Sequence, residues 1–291
     1  MLDFVTALWL GFIGACLGSF INVVAYRLPR GMSVVWQPSH CPRCGHAIRP
    51  WHNVPVFGWL MLRGRCRDCG EAISPRYALV EAAMGAAFFL LAYAELFSGS
   101  ANMPGPVAAT TAAWNTVWNP NWPLIGLYAY HGTLLCLLMT CALLDQDRQR
   151  IPRGLAALAI AIVVIASYNW WELYPERTRN IRVKELKAPL DALLGTAWGA
   201  SPWLALAGAL FLRGRTAAAP ALLRLALAFG LTGGFLGLRP IVRVAILWLP
   251  GALAVRGLQM RGRTLGYIWP LWLATLVHLI GWRHFAPLLN W

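Results

Sequence analysis

The sequence is organised around a polar, basic stretch that reads Cys-Pro-Arg-Cys-Gly at residues 41–45 and returns as Cys-Arg-Asp-Cys-Gly at residues 66–70. Two Cys-x-x-Cys-Gly pairs joined by a loop of this length can place four thiolates at the corners of a tetrahedron, the geometry of closed structural zinc sites. The glycine after each pair permits a tight turn, so that backbone N–H groups point at the sulfurs. The alternatives are two disulfides, which need an oxidising compartment, or four free thiols. We predict a structural Zn²⁺ ion bound by Cys41, Cys44, Cys66 and Cys69.

Outside this stretch the chain is strongly apolar. Hydrophobic residues make up 58% of it and charged residues only 12%, which excludes an ordinary soluble domain. Apolar runs of about twenty residues match the hydrocarbon thickness of a bilayer. We therefore predict an all-α, polytopic membrane helical bundle of about eight spans with a small cytosolic zinc-binding insertion. The predicted spans are 2–25, 77–97, 122–144, 154–171, 190–212, 219–238, 240–256 and 265–282.

The distribution of charge predicts the topology. Arginine and lysine are concentrated in connections 26–76, 145–153, 213–218 and 257–264, whereas loop 98–121 has none. By the positive-inside rule these basic connections face the cytosol, and only loop 172–189 disagrees. The net charge of +14 therefore indicates membrane topology and contact with lipid headgroups, and we expect no nucleic-acid partner. Residues 1–25 lack a basic start and a small-residue cleavage site, so we expect a retained first span.

The N-terminal third carries an ordered series of motifs. Gly-Ser-Phe-Ile-Asn-Val-Val at residues 18–24 and Arg-Leu-Pro at 27–29 precede the cysteine pairs, and Ile-Ser-Pro-Arg-Tyr-Ala-Leu-Val-Glu at 73–81 follows them. This series resembles the N-terminal half of type IV prepilin peptidases. Asp-Gln-Asp at 145–147 and Leu-Gly-Tyr-Ile-Trp-Pro at 265–270 also fit the family pattern, so the resemblance covers nearly the whole chain.

The resemblance implies a bifunctional enzyme of the bacterial inner membrane. Members cleave the leader from prepilins or pseudopilins of type IV pilus and type II secretion systems, then methylate the new N-terminus with S-adenosylmethionine. The resemblance also implies a division into domains. Residues 1–25 are the first transmembrane span, and residues 26–76 are the cytosolic four-cysteine zinc loop, which with its flanking spans to about 121 is the methyltransferase-associated half. Residues 122–291 are the aspartyl-peptidase-like membrane domain.

Leader cleavage needs two carboxyl groups, because one must be ionised to deprotonate water while the other stays protonated and polarises the scissile carbonyl. By resemblance, Asp145 is the first catalytic acid and Asp147 supports it. The structural alternative is a solvated boundary acid paired with Arg148, one helical turn on.

The second catalytic acid is where the sequence departs from the family. Family members carry a Gly-x-Gly-Asp-x-Lys motif, and alignment on the glycines at 230 and 234 puts Leu222 at the Asp position and Arg224 at the Lys position. Leucine can neither share a proton nor orient water. A rival register places Glu185 at the Asp position. Three functions stay open: a methyltransferase without peptidase activity, a fully active enzyme using Glu185 or another acid, and a non-catalytic membrane adaptor that binds prepilins.

The methyltransferase function needs a cofactor site, and the sequence has no Gly-x-Gly-x-x-Gly turn of the nucleotide-binding type. We expect S-adenosylmethionine to bind where the zinc loop meets the cytosolic ends of the first two spans. The candidates by position are Gly18, Asn22, Arg27 and Glu81. Each has a structural alternative, such as helix packing for Gly18 and an interhelical hydrogen bond for Asn22.

Overall fold

A computed structural model describes residues 1–36, 38–104, 113, 118–170, 173–174, 176, 187–261 and 265–289. Its described part is helical and contains no strand beyond two isolated bridges, His40 with Ala47 and Arg65 with Ala72. The predicted all-α class is confirmed. The chain divides into two compact units, Met1–Tyr93 and Ala94–Trp291.

The first unit is a helical pair with a loop insertion. Its helices are α1 (Leu2–Arg27), the short α2 (Phe57–Met61) and α3 (Arg76–Leu91). Glycines let the two long helices approach closely: a Cβ on Gly11 would lie 3.1 Å from the Gly85 carbonyl oxygen. Small residues at such crossings allow backbone-level packing between spans.

The second unit contains six α-helices within its described residues. They are α4 (Trp122–Gln146), α5 (Arg153–Asn169), α6 (Lys187–Leu212), α7 (Ala219–Leu236), α8 (Leu238–Met260) and α9 (Ile268–Phe285).

Long helices stand at all eight positions where the sequence predicts a span. Six of them, α1, α3, α4, α6, α7 and α8, form segments long and apolar enough to cross a membrane. The other two, α5 and α9, do not meet that combination of length and composition in the described chain. Several apolar spans make this a multi-pass membrane protein.

The tightest packing in the second unit lies between α6 and α7. A Cβ on Gly195 would lie 2.1 Å from the carbonyl oxygen of Gly233, and a Cβ on Gly233 would lie 2.0 Å from the carbonyl oxygen of Gly195. The two backbones are therefore in direct contact, and no side chain fits between them. Gly237, with φ of 93°, then ends α7 in a backbone conformation that favours glycine.

Buried polar pairs connect the helices of this unit. His131 on α4 bonds Glu95 over 2.6 Å, and both side chains are fully buried. Arg243 on α8 donates to Glu176 over 2.6 Å and is also buried. Removing one partner of such a pair leaves an uncompensated charge in a low-dielectric interior, so each pair fixes the arrangement of the segments that it joins.

The glycine contact gives a stability prediction with an internal control. We expect Gly195→Ala to lower the melting temperature in detergent, because its methyl group collides with the α7 backbone and overpacking costs about 1–3 kcal/mol. Gly208 lies on the same helix with open space where a Cβ would stand. Gly208→Ala should leave the melting temperature unchanged or raise it slightly, since alanine is the better helix former. Equal melting temperatures for the two variants would contradict the packing.

Candidate metal centre and candidate active site

The four cysteines of the loop form a cluster in which the Sγ atoms all lie within 4.8 Å of one another. The two pairs fold alike: the N–H of Cys41 donates to the carbonyl of His46, and the N–H of Cys66 donates to the carbonyl of Glu71. The glycine that ends each pair has positive φ, 74° at Gly45 and 71° at Gly70.

None of the four cysteines forms a disulfide. The sulfurs of Cys41 and Cys69 stand 3.8 Å apart, well beyond the bond of about 2.05 Å in a disulfide.

The electrostatics of the cluster suit a cation. Backbone N–H groups of Cys44 and Arg43 lower the pKa of the Cys41 thiol to about 6. The N–H of Glu71 lowers the pKa of Cys69, but burial and the neighbouring cysteines outweigh it and raise that pKa to about 12. The Cys41 thiolate therefore forms readily, whereas the Cys69 thiol resists loss of its proton. A divalent cation removes this resistance, so the cluster can hold a metal ion.

A cavity of about 770 Å³ lies in the first unit, between the loop that carries the four cysteines, the last turns of α1 and the start of α3. Three of the four residues that the sequence predicts for cofactor binding line it, namely Asn22, Arg27 and Glu81. Gly18 is not among the lining residues. A Cβ on Gly18 would lie 3.0 Å from the Glu81 Cα, so Gly18 serves the packing of α1 on α3.

The three lining residues differ in what they already bind. Arg27 donates to the carbonyl oxygens of Ser33 and Pro38, 3.2 and 3.3 Å away, and so fixes the start of the loop. Glu81 accepts a 2.7 Å hydrogen bond from the N–H of Val56. Asn22 donates to the carbonyl of Tyr77, while its Oδ1 is buried without a partner. This free acceptor is available to a bound molecule.

Asp145 lies at the end of α4, where three helices meet. Its Oδ1 accepts a 2.7 Å hydrogen bond from Nε of Arg224, near the start of α7, and the exposed fractions of the two side chains are 6% and 10%. The backbone before α9 closes the other side: a Cβ on Gly266 would lie 2.6 Å from Asp145 Oδ2. The neighbouring Gln146 accepts a hydrogen bond from Trp269 on α9.

The alternative partner for Asp145, Arg148, is wrong. Arg148 lies beyond the end of α4 with φ of 54° and is exposed, so its side chain does not continue the helical spacing that the pairing required. Arg224 stands at the lysine position of the family pattern, but its bond to Asp145 was not predicted from the sequence. An arginine within an apolar helix was the available signal, because such a charge needs a partner.

The other described acids of the second unit have different positions. Asp191 lies beside Gly237, since a Cβ on Gly237 would be 3.8 Å from the Asp191 Cβ. Gly237 follows Arg224 by thirteen residues of α7, about 20 Å along the axis. Glu95 bonds His131, about 20 Å before Asp145 on α4.

Two further acids complete the described set. Glu176 bonds Arg243 in the first turns of α8, which begins directly after Gly237. Asp147 caps the end of α4 and is exposed, and residues two apart on a helix do not face each other. Glu185 lies outside the described residues. Among the described residues, the side chain bonded to the Asp145 carboxylate is therefore the guanidinium of Arg224 and not a second carboxyl group.

The ion pair gives a second stability prediction. We expect Arg224→Met to destabilise the protein by about 3–5 kcal/mol, because it strands a buried carboxylate. The double variant Arg224→Met with Asp145→Leu should recover most of that loss, since apolar replacement of a buried pair is often nearly neutral. Chemical denaturation in detergent measures both. A double variant no more stable than Arg224→Met alone would show that the two side chains are not coupled.

Residues 12–95 match the family model described as Bacterial Peptidase A24 N-terminal domain. The chain is similar to proteins named prepilin leader peptidase/N-methyltransferase. The relative from Myxococcus xanthus is 51% identical over 83 residues, covering 28% of this chain and 25% of the relative. The relative from Klebsiella pneumoniae is 36% identical over 157 residues, covering 51% and 57%.

A third relative, from Pseudomonas aeruginosa, is 31% identical over 182 residues, covering 54% of this chain and 52% of the relative. The chain thus spans between a quarter and just over half of the length of these relatives. No solved structure matches it. Residues 12–95 therefore match the Bacterial Peptidase A24 N-terminal domain, and the matched part of the chain is similar to prepilin leader peptidase/N-methyltransferases.

Proposed function

We propose that this chain is a prepilin peptidase-like protein that retains methyl transfer to pilin N-termini and has lost leader cleavage. The observation that carries the proposal is the 2.7 Å bond between Asp145 and Arg224. Its partners are prepilins or pseudopilins, as the names of its relatives suggest. Its place is the bacterial inner membrane with the zinc loop in the cytosol, which the basic residues of that loop favour.

The loss of cleavage follows from the chemistry of the pair. A peptidase of two carboxyl groups needs one group to give a proton and another to take one. The guanidinium of Arg224 does neither, because arginine stays protonated in proteins. Asp145 then acts as a structural anion that joins α4 to α7, and Asp147 has no catalytic pair of carboxyl groups to support. Loss of a positioned acid or base typically removes a factor of about 10²–10⁴ in rate.

Methyl transfer is supported by the cavity of the first unit. Its volume of about 770 Å³ falls in the range of small-molecule sites, about 300–1,000 Å³. The free Oδ1 of Asn22 and the carboxylate of Glu81 are acceptors suited to the amino and ribose hydroxyl groups of S-adenosylmethionine. When bound, this cofactor supplies an electrophilic methyl group. Gly18 supports the site by letting α1 pack closely on α3, and Arg27 supports it by donating hydrogen bonds to loop carbonyls.

The proposed metal is a structural Zn²⁺ ion. Four cysteine ligands fill a tetrahedral site and leave no open position for chemistry. Its role is to hold the two cysteine turns together, and through them the loop that forms one wall of the cavity. Metal binding in such small loops contributes directly to their folding.

The zinc site gives a prediction on metal content. Purified protein should contain one zinc per chain, and Cys44→Ser should reduce this content because a ligand is lost. Cys136→Ser is the matched control, since Cys136 lies on α4 and should leave the content unchanged. Metal analysis by mass spectrometry measures both. Full zinc content in Cys44→Ser would rule out the four-cysteine site.

Methyl transfer has its own test, using pilin that already lacks its leader. We expect the purified chain to transfer a labelled methyl group from S-adenosylmethionine to the pilin N-terminus. Glu81→Gln should lose this transfer while keeping its zinc, because the acceptor in the cavity changes but the metal cluster does not. If the chain takes up no label yet binds prepilin tightly, the adaptor function replaces the proposed one.

A further inference from the structure

The short helix α2 exposes an apolar face. Phe57, Leu60 and Met61 stand 61%, 55% and 65% exposed. Their spacing of three and four residues puts them on one side of the helical turn. Large apolar side chains gathered on an exposed face indicate an interaction surface.

The opposite side of α2 is fixed against the rest of the loop. Gly58 packs so closely that a Cβ there would lie 2.1 Å from the carbonyl oxygen of His52. Trp59 donates from its indole N–H to the carbonyl of Ile73 over 3.0 Å, and its ring covers Gly64. The turn cannot rotate to bury its apolar face without breaking these contacts.

The start of α2 lies alongside the membrane helices rather than beyond their ends. The N–H of Val56, which precedes α2, bonds the carboxylate of Glu81 over 2.7 Å. Glu81 follows the first residue of α3, Arg76, by five residues, about 8 Å along the axis. Gly18 faces Glu81 and precedes the last residue of α1 by nine residues, about 14 Å. Both helices belong to candidate membrane spans.

Basic residues flank α2 in the sequence. Arg49 precedes α2, Arg63 and Arg65 follow it, and all three are exposed. An apolar face beside two candidate membrane spans, with arginines near it in the sequence, matches the pattern of helices that lie in an anionic interface.

From this depth, orientation and charge we infer that Phe57–Met61 is a half-inserted interfacial turn. Its Phe57, Leu60 and Met61 side chains contact lipid acyl chains, and the flanking arginines bind anionic headgroups. This contact holds the loop that forms one wall of the cavity against the membrane.

Photo-crosslinking tests this contact on the full chain in vesicles of phosphatidylethanolamine and phosphatidylglycerol. p-Benzoylphenylalanine is placed singly at positions 57 and 61, at exposed position 79 on α3 as a lipid-facing control, and at position 43, where Arg43 is 75% exposed at a cysteine turn, as a solvent-facing control. Retention of zinc relative to the unmodified chain verifies that each variant is folded.

We expect lipid adducts at positions 57, 61 and 79 and none above background at position 43. The adducts at 57 and 61 should be enriched in phosphatidylglycerol over its share of the bilayer. If positions 57 and 61 give only polypeptide adducts, or no adduct while position 79 reacts with lipid, the turn does not contact the membrane. Lipid adducts without phosphatidylglycerol enrichment would overturn the anionic-headgroup assignment.

Discussion

A carboxylate buried among helices must be neutralised, and the way in which Asp145 meets this requirement decides the proposed function of the chain. Desolvating a lone carboxylate costs several kcal/mol. A two-acid peptidase meets this cost with a second carboxyl group and a shared proton. Here the described chain supplies the guanidinium of Arg224 instead, at 2.7 Å. Under the proposed function, Asp145 therefore joins two helices and does not activate water.

The first unit is held together by contacts of a different kind. The loop of residues 26–76 is too short to bury a sufficient core of its own. The cysteine cluster, the bonds of Arg27 to loop carbonyls and the bond of Glu81 to Val56 together give this loop a defined shape over the cavity. None of these contacts involves Asp145. The proposed loss of leader cleavage therefore leaves the contacts of the proposed methyl-transfer site intact.

Local patterns predicted much of this architecture from the sequence. Length and apolarity were sufficient to locate the eight long helices, and the spacing of the cysteines was sufficient to predict their cluster. Asn22, Arg27 and Glu81 were placed near one site because they lie at the same ends of adjacent spans. The Asp145–Arg224 pair was not predictable in the same way, because its partners are 79 residues apart and meet only through the packing of α4 on α7. The buried bonds of Glu95 to His131 and of Glu176 to Arg243 were missed for the same reason, although an ionisable residue in an apolar helix signals a partner.

Leader release is the most direct measurement of the central claim that Asp145 has a structural partner instead of a catalytic one. The purified chain is incubated with a prepilin that carries a full leader, beside a matched Asp145→Asn variant and an active prepilin peptidase as positive control. We predict that the prepilin stays uncut by both forms of this chain and is cut by the control. Leader release by the unmodified chain that disappears in Asp145→Asn would contradict the account and point to a second acid, with Glu185 as the first to test.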